Sequence, residues 1–235
     1  MLRFNERRLR EIAAEQIEDN TLAADIRRYF ETYADEGETG KQALFLDEGY
    51  KAVRYDFSMV RQLSEPVEVT PLTQGIEVRP ALPEHYRAIW EAAEEAFRDH
   101  WGYIPETETD YQRFLNSPTF DPSLWKVGWD GDQVAGSVLN FMNADENEEY
   151  KRKRGYTEGI SVRRQWRKRG LATGLITRSL KMFQEMGMTE AALGVDTQNL
   201  SGALQLYERV GFRQVKQSTT YRKELEIVVN AQDQR

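Results

Sequence analysis

A helix-glycine-strand pattern that occurs twice in the chain narrows its possible folds more than any other feature. Ala43-Leu44-Phe45-Leu46 matches Ala203-Leu204-Gln205-Leu206, and Glu48-Gly49-Tyr50-Lys51-Ala52-Val53 resembles Val210-Gly211-Phe212-Arg213-Gln214-Val215. Each glycine precedes a leucine at the same distance, Leu63 and Leu225 (63 − 49 = 225 − 211 = 14). Self-similarity of this kind marks duplicated units. A generic helix-glycine-strand pattern is the alternative reading.

Residues 64–75 hold Pro66, Pro71 and Gly75 with no sustained period and read as a linker. They divide the chain into two parts, 1–63 and 76–228. A length of 235 residues has room for one large domain plus a fragment. Before the linker, the pattern predicts a helix over 6–18 (Leu9, Ile12, Ala13, Ile17), a strand near 26–33, a helix near 40–48 and two strands within 50–63. After it come a strand at Ile76–Arg79 and a helix over 83–99, with Pro83 in its first turn and Tyr86, Ile89, Trp90, Ala93 and Phe97 on one face. A weaker helix covers 107–116. Strands at 124–129 and 133–142 are joined by Asp130-Gly131-Asp132, whose turn needs positive φ. A polar loop, 143–153, leads to a strand at Tyr156–Val162, a helix from about Gly170 to Met186, a strand at Ala191–Val195 and a helix near 200–210. Strands at 212–216 and 219–228 end the pattern. This order predicts an α/β fold with a mixed sheet, antiparallel in its first half.

The chain has no cysteine, which excludes disulfides, thiolate zinc sites and a cysteine nucleophile. Only His85 and His100 supply imidazole, and no His-Glu-x-x-His or EF-hand spacing occurs, so no metal is expected. The start lacks a signal-peptide core and no apolar run reaches the roughly 18 residues of a span, so a cytoplasmic protein without membrane contact is expected. With 32 Lys+Arg against 39 Asp+Glu the net charge is −7, which argues against general nucleic-acid binding. The charge is nevertheless unevenly placed: Lys151 to Arg169 holds nine basic residues and one acid, Glu158. Such a run is either a solvated face or an anion site.

Its end, Val162-Arg163-Arg164-Gln165-Trp166-Arg167-Lys168-Arg169-Gly170-Leu171-Ala172, is a strand entering a helix through a basic, glycine-containing loop. A helix start offers unpaired N–H groups and the positive end of the helix dipole, and glycine lets phosphate oxygens approach the backbone. The loop is neither a Walker A motif nor a Gly-x-Gly-x-x-Gly fingerprint. Arg167-x-x-Gly170-x-Ala172 resembles the Gln/Arg-x-x-Gly-x-Gly/Ala signature of the GCN5-related N-acetyltransferase (GNAT) family. Asn199-Leu-Ser-Gly-Ala203 through Leu206-Tyr207 to Gly211-Phe212 resembles the family's second signature. The resemblance covers about 76–226. Arg164 stands where proline is usual, and Ala172 replaces the commoner glycine.

The resemblance implies a GNAT fold: a mainly antiparallel sheet flanked by helices, with the fourth strand (Tyr156–Val162) splayed from the fifth (Ala191–Val195). Residues 1–63 are similar to the back half of a further such unit, from its long helix to its last hairpin, as in tandem members of the family. It implies acetyl-CoA as co-substrate, with the pantetheine arm on the backbone of Ile160 and Val162. The pyrophosphate would lie on the loop of Arg167, Lys168, Arg169, Gly170, Leu171, Ala172 and Thr173. Asn199 would contact the CoA arm, its alternative role being a helix N-cap. The acceptor would be a primary amine, most simply of a small molecule. An amine of pKa ~10.4 is only about 0.04% neutral at pH 7, a cost of roughly 4.6 kcal/mol unless a base takes its proton. Glu158 is the candidate base, the alternative being an exposed strand glutamate. Tyr207 is the candidate acid for the leaving thiolate, the alternative being a tyrosine packed on the core. Asp99, His100 and Trp101 lie where the family shapes its acceptor pocket, although His100 could equally cap a helix end. Trp90, Trp125 and Trp129 read as core. The competing reading is a non-catalytic acyl-CoA-binding or assembly module. The assembly state is left open, a homodimer being one possibility.

Overall fold

A computed structural model describes residues 1–226 apart from 20, 22, 24, 25, 200 and 201. In chain order the elements are α1 (Leu2–Glu18), β1 (Tyr29–Asp35), α2 (Thr39–Asp47), β2 (Lys51–Gln62), β3 (Ile76–Arg79), α3 (Tyr86–Phe97), α4 (Glu108–Leu115), β4 (Lys126–Asp130), β5 (Gln133–Phe141), α5 (Ala144–Glu149), β6 (Arg154–Val162), α6 (Leu171–Glu185), β7 (Glu190–Asp196), α7 (Ala203–Arg209) and β8 (Arg213–Glu224). They fall into two compact units, Phe57–Lys216 and Met1–Asp56 with the residues from Gln217 on. Among the described residues, no helix is long and apolar enough to cross a membrane.

In the larger unit the strands stand in the order β2-β7-β6-β5-β4-β3. β3/β4, β4/β5 and β5/β6 are antiparallel, while β6/β7 is parallel. The predicted mixed sheet with an antiparallel first half is therefore present. Gly131 supplies the positive φ (57°) of the β4–β5 turn. Strand side chains alternate in direction, and both faces of this sheet are covered. On one face Leu171, Leu175, Ile176, Leu180 and Phe183 of α6, each at most 1% exposed, pack with Ala135, Val138, Ala191 and Leu193. Burying five such side chains contributes on the order of 7–15 kcal/mol before entropy is counted. On the other face Ile89 and Ala92 of α3 pack with Trp125, Val127, Trp129 and Val134, so Trp125 and Trp129 are core residues. α6 approaches β6 so closely that a Cβ on Gly155 would lie 2.5 Å from the Phe183 ring.

Residues 64–75 lack regular structure but lie along α6. The Thr70 N–H donates to Thr177 Oγ1 (3.1 Å), Arg178 Nη1 donates to the Thr70 carbonyl (2.7 Å), and Thr73 Oγ1 donates to the Arg169 carbonyl (2.7 Å). The segment is part of the larger unit.

The smaller unit pairs Tyr29–Asp35 of β1 antiparallel with Ser218–Glu224 of β8. Its core is small: Phe30, Ala34, Phe45, Tyr50 and Tyr221. Glu6, 5% exposed, accepts from Lys223 Nζ at 2.9 and 3.1 Å.

Three sequence expectations change. The two strands expected within 50–63, and likewise those of 212–216 and 219–228, are single strands, β2 and β8. Lys51–Gln62 and Arg213–Glu224 contain no Gly, Pro or Asn, so the residues that most readily take the positive φ of a tight hairpin turn are missing, and each segment runs as one strand. The polar loop 143–153 contains the short α5, capped by Asn143 Oδ1 accepting from the Glu146 N–H (3.1 Å). The helix expected near 200–210 begins at Ala203 after Gly202; residues 200, 201 and 227–228 lie outside the described ones.

The element order α1-β1-α2-β2 recurs as α6-β7-α7-β8. At the two helix ends the hydrogen bonds correspond: Gly49 N–H to Leu46 O and Tyr50 N–H to Phe45 O, Gly211 N–H to Glu208 O and Phe212 N–H to Tyr207 O. Both glycines have positive φ, 84° and 95°. These bonds put the correspondence at 211 − 49 = 162 residues, whereas the Ala-Leu-x-Leu match lies at 203 − 43 = 160, two residues out of register. In the correct register Phe45 stands where Tyr207 stands.

Candidate active site

The site is built around a place where two parallel strands part. β6 and β7 pair over only three couples, Arg154↔Glu190, Gly155↔Ala191 and Tyr156↔Ala192. The next residue, Thr157, still reaches Ala192 O with its hydroxyl (3.3 Å). Beyond it β6 bulges: Leu139 of β5 faces Glu158 and Ser137 faces Ser161, so Gly159 and Ile160 together oppose Val138. Gly159 takes φ +55°, and its missing side chain leaves room for Leu139, whose atoms lie 3.0 Å from where a Cβ would be.

Glu158 sits at the mouth of this opening, with Oε1 accepting from the Gly194 N–H of β7 at 2.9 Å. Burial pushes its carboxyl up to about 7 from an ordinary 4.5, outweighing the Gly194 bond that favours the ionised form. Tyr207 of α7 is buried beside Phe212, ring centroids 6.3 Å apart. Its phenol is pushed above its usual range, first by burial and then by the charge of Glu158. The two sequence candidates for base and acid therefore share one electrostatic environment. The exposed-strand alternative for Glu158 does not hold; core packing and proximity to Glu158 hold together for Tyr207.

At the far end of β6 the chain turns through Arg164–Trp166 and enters α6 with Lys168 (φ 60°) and Gly170 (φ 78°) left-handed. Gly170 is the N-cap, and no side chain caps the helix. The first intrahelical bond is Gly174 N–H to Gly170 O, so the N–H groups of Leu171, Ala172 and Thr173 point out of the helix start. No atom lies within 4 Å of where a Gly170 Cβ would be. Backbone donors with open space before them suit an oxyanion.

The basic island divides in two. Arg152 pairs with Glu146, Arg154 with Glu190 (2.8 Å), Arg163 with Glu95 (2.7 Å), and Arg164 and Arg167 with Asp99. Arg167 also donates to the Val162 carbonyl (2.9 Å) and the Ala96 carbonyl (2.8 Å). It ties the loop to the end of α3 and is not turned toward the helix start. Hydrogen bonds from Arg164 and Arg167 hold Asp99 down to about 2. Lys168 and Arg169 form no ion pair among the described residues, and they border the α6 start.

A cavity of about 350 Å³ opens beside the bulge. Trp90, Ala93, Glu94 and Phe97 of α3 line it, with Leu139, Gly159 and, from the segment after α3, His100, Tyr103, Ile104 and Glu106. Of the three residues expected near the acceptor, His100 lines it; Asp99 is held by arginines and Trp101 is 40% exposed outside the lining. Burial pulls the His100 imidazole below its ordinary value, toward neutral. Asn199 lies in the turn after β7, its N–H donating to Asp196 O (3.2 Å), and Gly202 rather than Asn199 is the α7 N-cap. Glu94, Glu106, Gly159 and Gly194 were not singled out from sequence. The visible signal was the width of the apolar stripe on α3, where Ile89, Ala92 and Ala96 are buried in the core while Trp90 and Phe97 face the cavity.

A family model described as the acetyltransferase (GNAT) family matches residues 86–212, more than half of the chain. The chain belongs to this family. Its GNAT relatives include the mycothiol acetyltransferase of Salinispora arenicola, 28% identical over 184 residues, 77% of this chain and 59% of that one. N-alpha-acetyltransferase MAK3 of Arabidopsis thaliana is 40% identical over 100 residues, 43% of this chain and 50% of the relative. The GCN5-related N-acetyltransferase of Sphaerobacter thermophilus superposes with a TM-score of 0.73 at 28% identity, covering 92% of this chain and 66% of the other. This GNAT chain thus spans about three-fifths of the mycothiol acetyltransferase length and half of the N-alpha-acetyltransferase.

Proposed function

We propose that the chain transfers the acetyl group of acetyl-CoA to a primary amine of a small molecule, with Glu158 as general base and Tyr207 as general acid. The observation that carries this reading is Glu158 spanning the gap between β6 and β7, with a carboxyl poised at about 7. A base whose pKa lies near working pH is half ionised there and can take the proton that an ammonium must lose before its nitrogen attacks.

When bound, acetyl-CoA supplies an activated thioester. The backbone N–H groups of Leu171, Ala172 and Thr173 with the side chains of Lys168 and Arg169 would hold its phosphates, and the β6 edge at Ile160 and Val162 its pantetheine arm, with Asn199 beside it. Arg167 fixes the loop. Glu158 accepts a proton from the acceptor, whose nitrogen forms the new bond to the acetyl carbon as the carbon–sulfur bond breaks. Tyr207, raised above its usual range, keeps its proton at every working pH and is available to the departing thiolate.

We further propose that 76–228 alone is the acetyltransferase and that 1–63 is an incomplete relative of its back half. The repeated element order and the matched bonds at Gly49 and Gly211 support the kinship. Phe45, at the place of Tyr207, has no phenol to donate.

Glu158→Gln and Tyr207→Phe test the roles. Each is expected to leave acetyl-CoA affinity within about twofold by calorimetry while thiol release with an amine falls by roughly 10²–10⁴. Unchanged turnover removes the residue from the mechanism. Tight acetyl-CoA binding with no turnover of any amine favours a non-catalytic acyl-CoA module.

A further inference from the structure

The cavity beside the bulge has walls, charge and position that together select a ligand. Its volume, about 350 Å³, lies at the small end of the roughly 300–1,000 Å³ typical of small-molecule pockets. The walls are aromatic and braced. Trp90 packs on Phe114 (centroids 4.8 Å) and edge-on to Tyr111 (5.6 Å), while Phe97 meets the His100 ring at 4.6 Å. Rings held by other rings offer a flat, preformed apolar surface, which costs little ordering when a ligand enters.

The charge in the cavity has one sign. Glu94 and Glu106 line it, and none of its lining residues is Lys or Arg. Tyr103 donates to Glu94 Oε2 (2.7 Å) and aims that carboxylate. Arg98 approaches the Tyr103 hydroxyl but is not in the lining. His100 is pulled toward neutral by burial. The Glu106 carboxyl is raised by burial and by the charges of Glu94 and Asp110, a repulsion that an entering cation would relieve. Aromatic faces attract the same cation. An anionic group on the ligand would meet two carboxylates and no cationic side chain in the lining. Continuity with the chemistry comes from the floor: Gly159 follows Glu158 in the chain, and Leu139 is Glu158's partner on β5.

We propose that the acceptor is a small primary amine carried on an aromatic or aliphatic body and bearing no carboxylate. This rests on the acetyltransferase reading of the Glu158 site. The protonated amine is drawn in by Glu94 and Glu106, its body lies against Trp90, Phe97 and Leu139, and deprotonation at Glu158 precedes attack.

The test uses the full chain with acetyl-CoA and four probe amines, read by thiol release. They are phenethylamine, phenylalanine (the same body with a carboxylate), ethanolamine (no body) and spermidine (methylene chains interrupted and ended by further charges). Phenethylamine is expected to exceed each of the others in kcat/KM by about tenfold or more. The double variant E94Q/E106Q is expected to raise KM for phenethylamine about tenfold with kcat within twofold, and to lower KM for phenylalanine. Ala93→Leu, which narrows the cavity, is expected to reduce phenethylamine use while leaving acetyl-CoA affinity unchanged. If phenylalanine, ethanolamine or spermidine is used as well as phenethylamine, or if E94Q/E106Q leaves KM unmoved, the proposal is overturned and the acetyltransferase reading stands. If acetyl-CoA binds and none of the four is acetylated, this proposal falls alone; if acetyl-CoA does not bind, or no amine of any kind is acetylated, the acetyltransferase reading falls with it.

Discussion

Glu158 should make the protein less stable under the conditions in which it works best. Its carboxyl is ordinary, at 4.5, in the unfolded chain and near 7 in the fold. Below about pH 4.5 both states are protonated and the shift has no effect. As pH rises toward about 7 the unfolded state releases a proton that the folded state retains, so folding stability falls; above about 7 both are ionised and the loss is complete. From the two values the full loss is about 3 kcal/mol, falling to about 1.4 at pH 5.5 and to under about 0.5 at pH 4.5. Glu158→Gln removes this titration while its amide oxygen still accepts from the Gly194 N–H. Urea denaturation of both proteins between about pH 4.5 and 8.5 should therefore show the variant gaining stability steadily with pH, to about 3 kcal/mol above wild type. In the same range wild-type turnover should rise through about pH 7 as Glu158 ionises, and the variant should lack that limb. A stability difference that stays flat with pH would refute the burial argument, whatever the activity of the variant.

Arg167→Ala, which loses bonds to Asp99 and to the Val162 and Ala96 carbonyls, should cost about 2 kcal/mol in denaturant unfolding. Lys168→Ala or Arg169→Ala should instead stay within about 0.5 kcal/mol of wild type and weaken acetyl-CoA binding in a salt-dependent way, measured by calorimetry. Gly159→Ala puts a Cβ at φ +55° and 3.0 Å from Leu139, so it should destabilise by about 1–3 kcal/mol and lower kcat by displacing Glu158. Gly155→Ala drives a Cβ into the Phe183 ring and should cost about 1–3 kcal/mol in thermal unfolding, partly restored by adding Phe183→Leu; a cost under about 0.5 kcal/mol would contradict the packing.

What the sequence made legible was local. The Asp130-Gly131 turn, the strand at Tyr156–Val162 and the glycine opening α6 are each encoded within a few residues, and each is present, although the bulge inside β6 is not legible in its residues. The acid candidate, Tyr207, rests on the second signature, whose register fixes a helix, and the base candidate, Glu158, on its place in the strand that enters the basic loop. Arg167 shows where such reading stops, because a guanidinium in a phosphate-type loop is the same letter whether it meets an anion or, as here, Asp99 and two carbonyls. The cavity was hidden for a related reason. Trp90 and Phe97 have the helical spacing of core residues, and only the tertiary packing of Ile89 and Ala92 shows which apolar stripe faces the sheet and which lines a pocket. The hairpins expected in 50–63 and 212–228 are instead the single strands β2 and β8, because Asp56, Ser58 and Ser218 are tolerated inside a strand where no glycine, proline or asparagine forces a turn.

The pairing of β1 sets a clock on folding. Tyr29 is partnered by Glu224, 224 − 29 = 195 residues later in the chain. At about 5–20 residues per second of synthesis, roughly 10–40 s pass between the emergence of β1 and that of its partner. Throughout that interval the smaller unit has α1 and α2 but lacks Tyr221 from its core and Lys223 opposite Glu6. A strand waiting that long with unsatisfied amides is a natural target for chaperones or for another nascent copy. Glu31, which in the finished fold accepts from Arg222 of β8 (2.5 Å), is in the meantime a charge on an open strand that a second acidic chain would avoid.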